Sequence, residues 1–291
     1  MRYRINIFFF KYSRQILTIL PFNIVLRVKL YFDKLFYLAL GSSPKNNPNN
    51  KNFLLANRVR KINNLLMVKN QKVKIKRFGS RNDGGYFLAD NFDKNTLLVS
   101  AGIGYNCDFE KSLIKKVKNA ILIDPHIDKY FPAVPNYKMY KKRLGSKTEG
   151  STVSLDFVLG TFPNDKVILK IDIEGSEYSI LDKISHKQLL RIDQLIVEFH
   201  NLTKIYDDRF YFKLIQILKR IRETHNLALV TPNNYSISTI LGGEVISDVL
   251  ETLFINKALN FPKKLSDKQF KLTSNNPNLP NHYFPTVTKQ I

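Results

Sequence analysis

Residues 168–177 read Ile-Leu-Lys-Ile-Asp-Ile-Glu-Gly-Ser-Glu. A mostly apolar run ends on three carboxylates, Asp172, Glu174 and Glu177. Buried charge is costly unless it is paired or put to use. Acids at the tip of a core strand therefore raise the question of what they serve. The same pattern recurs along the chain. Apolar runs at 96–104 (TLLVSAGIG), 120–126 (AILIDPH), 166–175 (KVILKIDIEG) and 193–200 (DQLIVEFH) each end in glycines or polar residues. Two further strands are expected at 227–233 and 251–257, and a short one at 137–141. Helical spacing is expected at 53–70, with Leu54, Leu55, Val59, Ile62, Leu65 and Leu66 on one side, and at Phe109–Val117, 152–160, Ser176–Ile184 and Phe210–Glu223. Near-continuous apolar strands separated by helices predict an α/β fold with a largely parallel sheet covered on both faces. Ligands of such sheets sit at the carboxyl ends of the strands. The segments at those ends are Ser100–Asp108, Asp124–His126, Asp172–Glu177 and Glu198–Asn201.

Gly102 and Gly104 follow the strand at 96–104, where glycine permits a tight turn and a close backbone approach. Asp124 lies twenty residues past Gly104, at the end of the next strand. A carboxylate there is suited to the hydroxyls of a ribose. A dinucleotide fingerprint needs a third glycine, and the corresponding residue is Cys107. The following helix opens on Asp108-Phe109-Glu110, whose charge opposes a pyrophosphate. Both points disfavour NAD. S-adenosylmethionine, a sulfonium and amine without phosphate, tolerates acids there.

Four segments together resemble the FkbM-type family of S-adenosylmethionine-dependent methyltransferases. They are RNDGGYFL (81–88), SAGIGYNCDFE (100–110), LIDPH (122–126) and LKIDIEGSEYSIL (169–181), with support from 154–159 and 194–200. The match spans roughly residues 75–205, and IDIEG-x-E is its most specific part. The resemblance implies a class I (Rossmann-like) methyltransferase fold. Its sheet is seven-stranded and mostly parallel, with one reversed strand near the end and helices on both faces. It implies S-adenosylmethionine as cofactor, held by Ser100, Gly102, Gly104, Asp124, Pro125, Gly145 and Asp172. The Gly102–Gly104 turn would lie beside the methionine part, Asp124 at the ribose, and Leu144–Ser146 near the adenine. The implied activity is O-methylation of a saccharide or glycan hydroxyl.

Asp172, Glu174 and His200 are the candidate catalytic residues. Asp172 would orient the cofactor amine or the acceptor hydroxyl, and Glu174, two residues on, would face the same cleft. His200 closes the next strand, and its near-neutral reference pKa suits a general base. It could also join Asp172 on a divalent ion, although a lone histidine at a strand end more often hydrogen-bonds a loop. Two ligands do not make a site, so a metal is compatible but not predicted. Glu177, in a first helical turn, reads as structural. Asp83-Gly84-Gly85-Tyr86 reads as a β-turn or as a lip over the cofactor. Cys107, the one cysteine of the chain, excludes an internal disulfide and fits a reducing compartment.

The chain has 291 residues and a formal charge of +22. Residues 1–80 hold 17 Lys and Arg against one acid, Asp33, and so carry +16 of it. Residues 1–40 mix these charges with Phe, Leu and Ile. Their longest uncharged run, Gln15–Leu26, is twelve residues and is interrupted by Pro21. That is short of the roughly 20 apolar residues a spanning helix needs. The pattern suits an amphipathic helix on an anionic membrane surface, or a helical pair packed on the core. The expected organisation is a basic N-terminal extension and linker at 1–50, a helical and β lead-in at 51–95, and the methyltransferase domain at 96–291. A cytoplasmic enzyme, peripheral at the membrane face, is expected. The alternative is a nucleic-acid- or membrane-binding protein whose Rossmann-like body is a non-catalytic scaffold. No nucleic-acid-binding module is visible, which disfavours a nucleic-acid partner.

Overall fold

The five-residue strands at the centre are built almost wholly of Leu, Val, Ile and Ala, and every residue in them is buried. Such strands need cover on both faces. The computed structural model describes residues 51–259, apart from 69–72, 82–83, 91, 93, 127–135, 234–235 and 237. The expected N-terminal extension therefore lies outside the described residues.

Helix α1 (Lys51–Leu65) precedes an antiparallel hairpin of β1 (Ile75–Gly79) and β2 (Gly85–Ala89). Strand β3 (Leu97–Ala101), helix α2 (Asp108–Ile114), β4 (Asn119–Ile123) and β5 (Tyr137–Tyr140) form the first half of the core. A small parallel pair follows, β6 (Arg143–Gly145) and β7 (Thr152–Ser154). Then come α3 (Leu155–Gly160), β8 (Val167–Ile171), α4 (Glu177–Leu181), α5 (His186–Arg191), β9 (Ile192–Phe199) and α6 (Asp208–Thr224). Strand β10 (His225–Pro232), a hairpin of β11 (Ser238–Leu241) and β12 (Glu244–Ser247), and β13 (Leu250–Asn256) complete the described chain.

The main sheet has seven strands in the order β10-β13-β9-β8-β3-β4-β5. It is mixed. Strands β5, β4, β3, β8 and β9 pair in parallel, and β13 lies antiparallel to both of its neighbours. One strand near the end of the chain is thus reversed, as expected for a class I methyltransferase.

Side-chain alternation splits the core in two. Leu97, Val99, Leu169 and Ile171 face a cluster completed by residues of α1 and α3 to α6. Leu98, Ile168 and Ile196 face the other way, onto Phe109 and Leu113 of α2 and Phe78, Tyr86 and Leu88 of the hairpin. Cover on this second face comes, among the described residues, from one short helix and a β-hairpin. The expectation of helices on both faces holds only in that reduced form.

Three local expectations change. Residues 152–160 are not all helix. The β-branched Thr152-Val153 pair with β6, and Ser154 caps α3 by accepting from the Phe157 amide at 3.2 Å. Helix α1 stops at Leu65 rather than near residue 70, and its Leu54 is exposed while Ala56, Val59 and Ile62 are buried. The β11–β12 hairpin was not expected. Gly242 and Gly243, both at positive φ, make its turn.

Candidate active site

The carboxyl ends of β3, β4, β8 and β9 open onto one cleft of about 1120 Å³. That exceeds the usual 300–1,000 Å³ of a small-molecule pocket, leaving room for a cofactor and part of a second substrate.

The turn after β3 forms one wall. Gly102 and Gly104 hold φ of 78° and 60°. A Cβ on Gly102 would lie 1.4 Å from the Asp172 carbonyl oxygen. The close approach that demands glycine here is therefore between two strand ends, not to a ligand. Gly104 instead faces open space. Asp124, at the end of β4, stiffens this turn. Its Oδ2 accepts from the amides of Ile103 (2.8 Å) and Gly104 (3.0 Å), and its Oδ1 from that of His126 (2.6 Å). Burial acts to raise its pKa, but the three amides and the nearby His126 outweigh that and lower it.

The neighbouring wall is built on the quoted stretch. Asp172 follows β8 and its amide donates to Ala101 at 3.0 Å. Its Oδ2 accepts from Tyr86 Oη at 2.5 Å and lies 3.5 Å from Lys170 Nζ. Lys170 is buried within β8, donates to the Gly102 carbonyl and stands 4.6 Å from the centre of the Tyr86 ring. Tyr86 thus reaches the cleft from the hairpin, and burial followed by the Asp172 charge holds its pKa well above the usual phenol value.

The Glu174 backbone is left-handed, with φ of 54°, and its side chain is 87% exposed. Glu177 is fully buried. Its Oε2 accepts from the Gly175 amide at 2.8 Å, and its Oε1 takes the His200 amide at 2.7 Å and faces His200 Nδ1 at 3.3 Å. The structural reading of Glu177 is what the geometry displays: it ties the strand-to-helix turn to the end of β9. The His200 ring is aimed by this carboxylate. Its Nε2 stands 3.5 Å from Glu174 Oε2 and 3.8 Å from Asp172 Oδ1. Burial acts to lower the His200 pKa, but the Glu177 hydrogen bond and charge, with Asp172 and Glu174, raise it.

Gly102, Gly104, Asp124, Pro125, Asp172, Glu174 and His200 all line the cleft. Ser100 and Gly145 do not. Ser100 sits on the buried hairpin side of β3, and its hydroxyl donates to Glu110 at 2.6 Å. Gly145 borders a separate small cavity with Ser154 and Ile184, while its neighbours Arg143 and Leu144 reach the cleft. Glu110 also changes meaning. It turns into the core beside Ser100, and burial raises its pKa. The acidity lies in the cleft itself, where Asp124, Asp172, Glu174, Glu198 and Asp248 face Lys170 and Arg143. Glu198 accepts from Asn233 Nδ2 at 2.6 Å, and burial, then the charges of Asp172 and Glu251, raise its pKa well above the carboxylate range.

Lys170, Asn233 and Asp248 were not anticipated. A lysine inside an otherwise apolar strand was the available signal for the first. For the other two, distant in sequence, there was none.

The model of the Methyltransferase FkbM domain matches residues 44–223. The chain belongs to that family. A search of curated proteins found no match. Among solved structures, the crystal structure of spermidine synthase from Thermotoga maritima is similar at 14% identity and a TM-score of 0.31, over 68% of each chain. A likeness that distant says nothing about what this chain acts on.

Proposed function

We propose that this FkbM-family methyltransferase uses S-adenosylmethionine to methylate a hydroxyl of a saccharide or glycan. One observation carries the reading: Asp124 with its glycine turn and the Asp172–Glu174–His200 group line a single acidic cleft. The residues fit the cofactor. Asp124 keeps one acceptor site beyond its three amide bonds for a ribose hydroxyl, the space above Gly104 admits a ligand against the backbone, and the excess of carboxylates favours a cation over a pyrophosphate. Arg143 and Leu144 supply the adenine end. The cofactor supplies an electrophilic methyl group on a sulfonium. The acceptor hydroxyl is held, and gives up its proton, among Asp172, Glu174 and His200. The same acidity disfavours anionic acceptors and supports a neutral sugar. The basic segment 1–40 supports residence at an anionic membrane surface as part of this reading, although no helix among the described residues is long and apolar enough to cross a membrane.

Calorimetric titration with S-adenosylmethionine, with NAD as control, tests the cofactor. Micromolar binding that is lost in Asp124→Ala and absent for NAD is expected. Binding of NAD instead, or of neither by folded protein, overturns the reading. Loss of binding to anionic vesicles on removing residues 1–50 is the expected result for the membrane contact, and unchanged binding sinks it.

A further inference from the structure

We infer that Asp172, Glu174 and His200 form a binding site for a divalent cation. One ligand atom from each lies within 4.8 Å of the others. Nε2 of His200 is 3.5 Å from Glu174 Oε2 and 3.8 Å from Asp172 Oδ1. Atoms that share an ion at about 2.1 Å are themselves about 3–4 Å apart, so the separations suit a common ligand sphere. They are long for hydrogen bonds, whose usual range is about 2.7–3.2 Å.

Two further observations point to a ligand rather than to a chance meeting of acids. His200 is nine-tenths buried, yet no hydrogen bond to its Nε2 is seen among the described residues, and that atom faces the cleft. Its other nitrogen lies against Glu177, a fully buried carboxylate that sets the ring orientation. An imidazole held from behind by a carboxylate, with the far nitrogen free, is the usual supporting arrangement of a metal-binding histidine. Asp172 is prepared in the same way. Tyr86 and Lys170 occupy the Oδ2 side and leave Oδ1 toward His200. Glu174, almost wholly exposed, is free to close on an ion.

Two carboxylate oxygens and one imidazole nitrogen suit Mn²⁺, Mg²⁺ or Zn²⁺ and leave positions open to the cleft. Two neighbouring oxygens of an acceptor could fill them, which selects a sugar with vicinal hydroxyls. That role in acceptor binding rests on the proposed function. The site itself does not.

Titration of the full chain with Mn²⁺, followed by electron paramagnetic resonance with and without S-adenosylmethionine, tests it. One bound Mn²⁺ per chain is expected, displaced by Zn²⁺ or Mg²⁺. Glu174→Gln, a surface change, should weaken it at least tenfold, and His200→Ala by up to a hundredfold. No bound Mn²⁺ under either condition overturns the site, and so does binding that both variants leave intact. Calorimetry with S-adenosylmethionine in EDTA reports separately on the proposed function, so the two can fail independently.

Discussion

The two walls of the cleft hold their carboxylates in opposite ways. Asp124 is fixed by three backbone amides, which lower its pKa. Glu198, on the other wall, is buried beside Asp172 and Glu251, and its pKa is raised. The first is a rigid anion. Around the second, burial and neighbouring charge work against ionisation. The linkage signs follow. Asp124 contributes stability above its unfolded pKa, and this is lost as pH falls through its lower folded value. The contribution from Glu198 is full below its unfolded pKa and is lost as pH rises through its higher folded value. The comparison separates a carboxylate held by backbone donors from one held by burial and like charge.

Gly102→Ala attacks both walls at once. Its Cβ would meet the Asp172 carbonyl at 1.4 Å, so the strand ends must part. A loss of more than about 4 kcal/mol in denaturant unfolding is expected. A mild effect would show that the walls are not in contact as described. His200→Ala should divide them. Methyl transfer, measured once an acceptor is found, is expected to fall by about 10²–10⁴. Cofactor affinity measured by calorimetry should stay within about threefold, and a comparable loss of both would break the division.

His225 sharpens the pH argument from outside the cleft. It begins β10 at the other end of the sheet and is fully buried, with Nε2 2.8 Å from the Ile192 carbonyl. Burial pushes its pKa down to about 4. The folded protein therefore binds fewer protons than the unfolded chain below about pH 6.5. Stability should fall by up to about 3 kcal/mol between pH 6.5 and 4, and His225→Gln should remove most of that slope in unfolding curves. A slope left intact in the variant would assign the acid loss to the cleft. The smallest effect is expected for Glu198→Gln, which keeps an acceptor for Asn233. Its stability at pH 5 should stay within about 1 kcal/mol of the parent, while the loss on the alkaline side flattens. An unchanged alkaline limb would mean that Glu198 does not carry the proton.

The sheet was legible because its strands are continuous apolar runs, and period and length alone identify them. The glycine turn, Asp124, Asp172, Glu174 and His200 were legible because each sits at a strand end. What escaped notice depends on faces and on distant partners. Ser100 lies in β3 just before the turn, on the side of the strand that faces Glu110. Gly145 is one residue beyond Leu144, and there the chain has left the cleft for the small cavity beside Ser154 and Ile184. Tyr86 could be placed near the cofactor as a lip, but its bond to Asp172 crosses 86 positions. Asn233 and Asp248 reach the cleft only because β10 and β13 bring their ends there. The β11–β12 hairpin had its signal in Gly242-Gly243, with short strands of ordinary composition around it.

The left-handed backbone at Glu174 sets selection for heat tolerance against selection for activity. A non-glycine residue there costs about 1–2 kcal/mol, and glycine would relieve it. Populations screened only for survival at high temperature should accumulate Glu174→Gly early, since stabilising changes of that size are easily found. Lineages also screened for turnover should retain the acid and recover their stability elsewhere. The identity of residue 174 would then record which pressure a laboratory lineage had experienced.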